Sequence, residues 1–354
     1  MTIKEIAKIA GVSTTTVSYV INDTKNVLPE TRRKVLDAIE QWGYRPNYMA
    51  KGLRIKRTNT IGVLVEDIMG FPVPAIINGI SEYMEKNDYR ILLNDLKMLE
   101  SLFNHYDQVH LHKEKINEVI SMLLHEVQVD AIIYVGMIDR NITGLINKID
   151  KPFVLAFSTS NDPYTTFVDY DNENISAEAI QYLFDLGHTD IAVITGLTHT
   201  TASQLRMKGV QRAFREAGKI LNSAFVKYGD WGYESGRACM KELLTQELHN
   251  PTALFAMGDL MAAGAMDVIK SAGLRIPDDI SIIGFNNMEI CLYLNPKLSS
   301  IEIDLKGVGY IAAEIAVEKI NGMKEGGRDV KNNECNIVIP SKLILRDTIA
   351  PLVR

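Results

Sequence analysis

The sequence predicts an all-α helix-turn-helix domain at the N-terminus, followed by an α/β body built on two parallel sheets. Apolar residues recur at helical spacing, interrupted by a glycine, between Thr2 and Gly43. From Thr60 onward, candidate buried strands alternate with amphipathic helices, which is typical of parallel sheets with crossover helices. A chain of 354 residues is also too long for one hydrophobic core and is expected to divide.

The first two predicted helices are short and closely joined. Thr2 to Ala10 places apolar side chains at i, i+3, i+4 and i+7, and Thr2 and Glu5 have the spacing of a capping box. Gly11 breaks this helix with a tight turn, and Ser13 begins a second helix that reaches Asn22. Two short helices joined by a three-residue turn with glycine are typical of the helix-turn-helix motif.

The second helix has an apolar face and a hydroxyl-rich face. We expect Val17, Val20 and Ile21 to be buried, which leaves an outward set of Thr14, Thr15, Ser18 and Tyr19. Short hydroxyl side chains and a tyrosine suit base edges and phosphates in a major groove. A third helix is predicted from Pro29 to Gly43, with an inward set of Val35, Leu36, Ile39 and Trp42.

Charge separates the N-terminal segment from the rest of the chain. Residues 1–57 hold eleven Lys or Arg and five Asp or Glu, a net charge of +6. Because the whole chain carries −6, the remaining residues total −12. A basic segment on an acidic body is expected when only one end meets nucleic acid, and the alternative is a solvated helical domain without a ligand.

Two segments resemble the LacI/GalR family of bacterial transcription regulators: the opening TIKEIAKIAGVSTTTVSYVIN, and GYRPNYMAKGLRIKRTNTIGVLV from Gly43 to Val65. In that family the segment matching Asn47 to Ile55 forms a hinge helix on the operator, and its leucine, here Leu53, enters the minor groove. Ala50-Lys51-Gly52-Leu53 is too short, and too weakened by Gly52, for a stable helix in water. A leucine among cations suits a wedge between base steps, and a plain basic linker is the alternative.

The resemblance gives the expected DNA contacts residue by residue. Base edges in the major groove are expected to meet Thr14, Thr15 and Tyr19. The expected phosphate contacts are Ser13, Thr16, Ser18, Asn22, Tyr44 and Asn47. The expected hinge contacts are Ala50, Lys51 and Leu53. One departure is Leu28, which stands where the family often has serine before the proline of the third helix; the loss of such a cap costs about 1 kcal/mol.

The body contains eight strand candidates, and two sheets are expected with a break near Ser158–Pro163. The candidates are TIGVLVE, YRILLND, DAIIYVG, PFVLAF, TFVDY, DIAVITG, TALFAM and SIIGF. The resemblance implies a two-lobed effector domain similar to periplasmic sugar-binding proteins, with three crossovers and a ligand cleft. It divides the chain into a DNA-binding domain at 1–45, a hinge and linker at 46–59, and an effector-binding and dimerisation domain at 60–354. The N-lobe is expected at about 60–158 and 289–322, and the C-lobe at about 164–288 and 327–348.

The resemblance also gives the expected effector contacts, carried by RMKGVQRAFREAG, GDWGYESGR, PTALFAMGDLMAAGA, SIIGFNNME and the less typical EDIMGFPVPAI. The expected contacts are Asp67, Phe71, Arg206, Trp231, Asp259 and Asn286. An aromatic plate with Asp, Asn and Arg suits a polyhydroxylated ligand. Three alternatives stay open: Trp231 as core packing, Asp259 as a helix cap, and Arg206 as part of a surface ion pair.

Metal and cofactor chemistry are not expected. His105, His110 and His112 fall in a segment about ten residues longer than family members usually show, but no pair has the i, i+4 spacing of two ligands on one helical face. The three cysteines have no metal or disulfide spacing, which favours a reducing cytoplasm. No membrane-length apolar run, signal-peptide core or enzyme signature is found.

The predicted function is that of a homodimeric repressor of a carbohydrate-utilisation operon that binds an inverted-repeat operator. A small sugar-like effector is expected to switch it, and no membrane is expected as a partner. Dimers rather than tetramers are expected because only DTIAPLVR follows KLILR, where the family's tetramers have an extra leucine-rich helix. Two alternatives remain: a regulator that senses a purine or nucleoside, and a sugar-binding protein without a role at DNA.

Overall fold

The computed structural model describes residues 1–23, 25–44, 58–102, 105–246, 250–322 and 336–352. The chain separates into two compact units, Met1–Thr58 and Asn59–Arg354. The first unit contains three helices in its described part, α1 (Ile3–Ile9), α2 (Thr14–Asn22) and α3 (Pro29–Gln41).

Local sequence explains how each helix of the first unit begins. The capping box between Thr2 and Glu5 is present at α1, and Ser13 Oγ accepts a hydrogen bond from the Thr16 N–H at 3.0 Å at the start of α2. Gly11 makes the turn between them at a φ of 66°, where a β-carbon is unfavourable. α3 begins at Pro29 with no side-chain cap from Leu28, as the sequence predicts.

The three helices pack on a small apolar core of Ile6, Ala7, Val17, Val20, Val35 and Ala38. The prediction for the third helix was wrong at two positions, since Leu36 is 47% exposed and Trp42, at the C-terminal end of the helix, is 52% exposed. Ala38 takes the inward place instead. Trp42 directly follows Gln41, the last residue of α3, so it lies past the end of the core-facing surface of that helix.

The second unit contains two six-stranded sheets. The first sheet has the order β11-β5-β4-β3-β1-β2, formed by Ile337–Ile339, Thr166–Tyr170, Phe153–Ala156, Ala131–Val135, Thr60–Val65 and Arg90–Asp95. The second has the order β12-β10-β9-β8-β6-β7, formed by Lys342–Ile344, Ser299–Glu302, Ser281–Asn286, Ala253–Ala256, Ile191–Thr195 and Val226–Tyr228. All recorded pairings are parallel except β10 with β12, which is antiparallel.

Helices connect the strands, as the alternating pattern predicts. They are α4 (Val73–Lys86), α5 (Leu99–Leu102), α6 (Lys113–Ser121), α7 (Glu173–Asp185), α8 (Thr201–Glu216), α9 (Tyr233–Thr245), α10 (Asp259–Ser271) and α11 (Leu305–Gly322). Short helices of other types lie at Tyr106–His112, Met122–Glu126, Ser223–Phe225 and Glu289–Leu292. No described helix is both long enough and apolar enough to cross a membrane.

The expected division of the body into lobes needs correction. The strand Thr166–Tyr170 was expected in the C-lobe, yet it pairs with Phe153–Ala156 and lies in the first sheet. Ile337–Ile339 extends the same sheet, whereas Ser299–Glu302, expected in the N-lobe, joins the second. A short buried strand can pair in either sheet, so hydropathy predicts that a strand exists without predicting its partner. The chain therefore passes between the sheets after β5, after β10 and between β11 and β12.

Candidate functional site

A cleft lies where the carboxyl ends of strands from both sheets meet. Its walls come from the segments that follow β1, β3 and β4 of the first sheet and β7, β8 and β9 of the second, together with α8. Ligands of α/β proteins characteristically bind at this end of the strands. The cavity volume is about 190 Å³. Pockets for drug-sized ligands typically measure about 300–1,000 Å³, so this cleft suits a smaller molecule.

Arg206 is the central polar residue of the cleft. Its side chain is buried, and its guanidinium donates to Asn172 Oδ1 at 2.8 Å, to the Met257 carbonyl at 2.5 Å and to the Tyr170 hydroxyl at 2.9 Å. Tyr170 ends a strand of the first sheet and Met257 follows a strand of the second. Arg206 therefore links the two sheets, and the surface ion-pair alternative is wrong.

Aromatic rings cover the guanidinium and the cleft walls. The Arg206 Cζ lies 3.4 Å from the centroid of the Phe285 ring and 5.5 Å from that of Trp231. Phe157 and Tyr170 stack with centroids 5.2 Å apart and an interplanar angle of 17°. Trp231 has a left-handed φ of 75°, and its buried Nε1–H has no acceptor among the described residues. A buried donor of this kind is expected to meet an acceptor on a bound molecule or water.

Asp259 is fully buried at the first turn of α10, and its two oxygens are occupied. Oδ1 accepts from the Ser300 hydroxyl at 2.5 Å, and Oδ2 accepts from the Met288 N–H at 2.7 Å. Burial raises the pKa of Asp259 to about 6, against the opposing effect of these hydrogen bonds. Asp259 thus fixes the segment after β9 at Met288, next to Asn286, the last residue of that strand, which lines the cleft with a left-handed φ of 104°.

A buried carboxyl pair forms part of the first-sheet side of the cleft. Asp139 follows β3 and lines the cleft, and its Oδ2 accepts from Asn172 Nδ2 at 2.7 Å. Asp169, a residue of β5, is also buried, and Oδ1 of Asp139 and Oδ1 of Asp169 have no hydrogen-bond partner among the described residues. Burial raises the pKa of both carboxyls, and the charge of Asp139 raises that of Asp169 further. Asn172 therefore connects the carboxyl pair to Arg206.

The cleft gathers five of the six predicted effector contacts: Phe71, Arg206, Trp231, Asp259 and Asn286. Asp67 does not line it. The Asp67 carboxylate instead accepts from the Met69 N–H and the Leu99 N–H, both at 2.9 Å, and so orders the loop after β1. Sequence reasoning missed Asp139, Tyr170 and Asn172. The available signal was that each of the three follows or ends a predicted strand.

The outward face of α2 carries the predicted DNA contacts. Thr14 and Thr15 are exposed, while Thr16, Ser18, Tyr19 and Tyr44 are half-buried. Ser13 caps the helix, and its hydroxyl hydrogen-bonds that of Thr16 at 2.8 Å. Lys25 Nζ lies 5.0 Å from the centroid of the Tyr19 ring, which adds a cation beside this face. The described surface is thus rich in hydroxyl groups next to positive charge.

Some predicted residues are not tested by this geometry. The predicted contacts that lie outside the described part of the chain are Asn47, Ala50, Lys51, Leu53 and the side chain of Asn22. In the described ranges, no group of three or more His, Cys, Asp or Glu side chains is arranged to hold a metal ion.

A helix-turn-helix unit in one chain with a two-lobed cleft defines the class of ligand-responsive DNA-binding proteins. Residues 2–47 match the family model described as bacterial regulatory proteins, lacI family, and residues 180–349 match a periplasmic binding protein-like domain. The chain belongs to the lacI family of bacterial regulatory proteins, and it is a DNA-binding transcription regulator.

Relatives of similar length support this assignment. Catabolite control protein A of Priestia megaterium is 32% identical over 323 residues, covering 91% of this chain and 93% of the relative. The transcriptional repressor PurR of Pasteurella multocida is 34% identical over 325 residues, covering 92% and 93%.

Solved structures share the fold. A lac repressor dimer bound to operator and the anti-inducer ONPF has a TM-score of 0.79 at 23% identity, covering 100% of this chain and 99% of that one. A complex of the transcriptional regulator CelR with cellobiose has a TM-score of 0.64 at 25% identity, covering 99% and 100%.

Proposed function

We propose that the protein represses a carbohydrate-utilisation operon and is switched by a small sugar-like effector bound in the cleft. The observation that carries the proposal is the unpaired Trp231 Nε1–H in a small cleft lined by aromatic rings, Arg206 and Asn286. A sugar offers hydroxyl oxygens to such donors and a flat face to the rings. The solved relative bound to cellobiose is a regulator of the same fold, which supports a carbohydrate.

The effector contacts in this proposal are Phe71, Arg206, Trp231 and Asn286, and Asp259 holds the segment that directly follows Asn286. Three of the five N–H donors of Arg206 are held inside the protein, and the other two remain for ligand oxygens. Arg206 contacts groups of both sheets, so a ligand beside it can favour one arrangement of the lobes. A ligand can switch a regulator only if it binds one arrangement of the protein more tightly than the other.

At DNA, we propose that a homodimer binds an inverted-repeat operator. Thr14, Thr15 and Tyr19 would contact base edges, and Ser13, Thr16, Ser18, Asn22, Tyr44 and Asn47 would hold phosphates. The hinge contacts Ala50, Lys51 and Leu53 would reach the minor groove at the centre of the site. The exposed hydroxyl face of α2 beside Lys25 supports this orientation.

The domain boundaries follow the same proposal. Residues 1–45 form the DNA-binding domain, 46–59 the hinge and linker, and 60–354 the body that binds effector and dimerises. We propose that the body binds its ligand without converting it, because the relatives are transcription regulators. Because the proposed operator lies on the chromosome, we expect the protein in the bacterial cytoplasm.

A thermal-shift panel of sugars and nucleosides tests the effector class on the full chain. A ligand at about a hundred times its Kd should stabilise the fold by about 2.7 kcal/mol. Trp231→Ala and Arg206→Ala should abolish this shift and retain operator binding. Arg215→Ala, an exposed arginine on the same helix as Arg206, is the matched control and should respond as wild type does. A shift with nucleosides and with no sugar would reject the carbohydrate, because a base also stacks on an aromatic ring.

Salt dependence and footprinting test the DNA part. Each DNA-binding domain should neutralise several phosphates. The affinity for the operator should therefore fall by a factor of about 10³–10⁵ between about 50 and 200 mM salt. The footprint should be symmetric about the centre of an inverted repeat. Thr15→Ala should weaken specific binding, whereas Thr198→Ala, an exposed threonine of the body, should not. An asymmetric or salt-insensitive footprint contradicts the proposal.

A further inference from the structure

One wall of the cleft comes from the segment between Asp95 and Asp130, which is longer than family members usually show. Leu99 of this segment lines the cleft, and it is the first residue of α5. The segment follows β2, which is the last strand at one edge of the first sheet. Leu99 therefore bounds the cleft on the β2 side.

The β2 side is the end of the cleft farthest from the points where the chain crosses between the sheets. The crossings follow β5 and β10 and join β11 to β12, and these strands lie at one end of each sheet. At the other end lie β2 in the first sheet and β7 in the second. Leu99 follows β2 and Trp231 follows β7, so a ligand that extends away from the crossings has to pass the residues of these two segments.

Leu99 is held in place by hydrogen bonds to the end of β1 and the loop after it. Asp67 Oδ2 accepts from the Leu99 N–H at 2.9 Å, and the preceding Met98 N–H donates to the Glu66 carbonyl at 2.9 Å. Met98 and Leu102, which flank Leu99 along the chain, are both fully buried. The position of Leu99 is therefore fixed, and Asp67 is a positioning residue rather than a ligand contact.

The lining of the cleft around this segment is apolar. The lining residues that follow β1 and β2 are Gly70, Phe71, Pro72 and Leu99, and none of these four has a polar side chain. The hydroxyl groups of a sugar ring placed against them would lose water without gaining a hydrogen-bond partner from these side chains. Burial of a hydroxyl group without a partner is unfavourable.

We propose that Leu99, positioned by Asp67, limits the length of the ligand that the cleft admits, so that the effector has a single sugar ring. This inference rests on the proposed role of the cleft as the site of a sugar-like effector, and it narrows that effector to a monosaccharide. The Leu99 side chain occupies space that a second ring would need, and it offers that ring no hydrogen bond. The cavity volume of about 190 Å³, below the range of pockets for drug-sized ligands, supports the same limit.

Calorimetric titration of the full chain with matched sugars tests the limit. The pairs are glucose with cellobiose and mannose with mannobiose, in which each disaccharide consists of two copies of its monosaccharide. In the wild type, the monosaccharide of whichever pair binds should have a Kd lower by roughly tenfold or more than that of its disaccharide. A disaccharide that binds the wild type as tightly as its monosaccharide overturns the inference.

Variants of Leu99 separate its side chain from the rest of the wall. Leu99→Ala opens space and should lower the Kd of the disaccharide by roughly tenfold. Leu99→Met nearly conserves the volume and should keep the wild-type preference. Leu111→Ala, at a leucine of the same segment that is 69% exposed, is the matched control. A Leu99→Ala variant that binds operator and keeps the wild-type preference overturns the inference.

Asp67→Ala tests the positioning role. It removes the acceptor of the Leu99 N–H, so the preference should change in the same direction as in Leu99→Ala, whereas a residue that contacts the ligand would weaken the binding of both sugars of a pair. A wild-type preference in Asp67→Ala removes the positioning role from Asp67.

Fluorescence quenching tests the limit without a bound ligand. The chain has two tryptophans, so Trp231 is the only one left in Trp42→Phe. Acrylamide is a small uncharged quencher, and the nitroxide TEMPOL is a bulkier uncharged one. Addition of Leu99→Ala to this variant should increase the quenching of Trp231 by TEMPOL more than the quenching by acrylamide. If quenching by TEMPOL is unchanged, Leu99 does not limit access to the cleft and the inference fails.

These measurements separate the inference from the proposed function. If nucleosides bind and no sugar does, the carbohydrate proposal fails, while a selective gain of TEMPOL quenching in Leu99→Ala still supports Leu99 as the limit on ligand length. If a disaccharide binds the wild type as tightly as its monosaccharide, the carbohydrate proposal stands and the limit fails.

Discussion

The indole of Trp231 lies directly over the backbone of Gly196, in the space that a β-carbon on Gly196 would occupy. Such a β-carbon would overlap Cζ2, Cη2 and Cε2 of the indole ring. Gly196 follows strand β6, and Trp231 lies in the segment after β7. The position of the aromatic plate in the cleft is therefore set by the absence of a side chain on the neighbouring strand end.

Gly196→Ala should displace the Trp231 ring and weaken effector binding by roughly tenfold or more, at a stability cost of about 1–3 kcal/mol. Operator binding without effector should be retained. The measurement is the Kd of whichever ligand the thermal-shift panel identifies. Gly322→Ala, where a β-carbon would meet nothing within 4 Å, is the matched control. If Gly196→Ala binds the ligand with unchanged affinity, Trp231 does not contribute to the ligand site.

Leu28→Ser should stabilise the DNA-binding unit by about 1 kcal/mol, because it supplies the side-chain cap that α3 lacks. Leu28 is 75% exposed, so its replacement removes little packing. Ser13→Ala should have the opposite effect, since it removes the existing cap of α2. Chemical denaturation, followed by a signal from the DNA-binding unit, measures both changes. A destabilised Leu28→Ser variant would mean that the leucine makes contacts in solution that outweigh a cap.

Asp259 should make the stability of the body depend on pH between about 4 and about 6. Burial raises the pKa of Asp259 from 3.8 to about 6, so in this range the folded protein holds a proton that the unfolded chain releases. The contribution of this residue to stability therefore falls as pH rises through the window. Relative to wild type, Asp259→Asn should show a smaller drop in Tm from about pH 5 to about pH 7.

Asp279 serves as a control, because its contribution to stability changes with pH in the opposite direction to that of Asp259. A hydrogen bond from Arg275 holds the pKa of Asp279 below 3.8, so its contribution to stability is lost as pH falls. Asp279→Asn should therefore reduce the loss of stability on acidification. Identical pH profiles for wild type and Asp259→Asn would contradict the assignment of the raised pKa to Asp259.

Leu53→Ala should leave effector binding intact and reduce the bending of operator DNA, because it removes the proposed minor-groove wedge. Leu53 lies outside the described residues, so this prediction depends on the hinge resemblance alone. Circular permutation of the operator, read by gel mobility, measures the bend. A variant that bends and binds the operator as wild type does would reject the hinge assignment.

The sequence by itself determined the features that depend on neighbours along the chain. The capping box of Thr2 and Glu5, the turn at Gly11 and the uncapped start of α3 follow from residues within four positions of one another. The alternation of strand and helix was predictable for the same reason, since each strand candidate is a local apolar run. Five cleft residues were also predictable, because family resemblance carries information on the ends of strands.

Only the tertiary structure decided how those strand ends meet. Thr166–Tyr170 was expected in the other lobe, so Tyr170 and Asn172 could not be predicted beside Arg206. Asp67 and Asp139 both follow buried strands, yet Asp67 accepts hydrogen bonds from backbone N–H groups, whereas Asp139 lines the cleft and accepts one from Asn172. Hydropathy predicts burial but not the pairing partner of a strand, and the charge balance of a cleft depends on contacts between residues far apart in the chain.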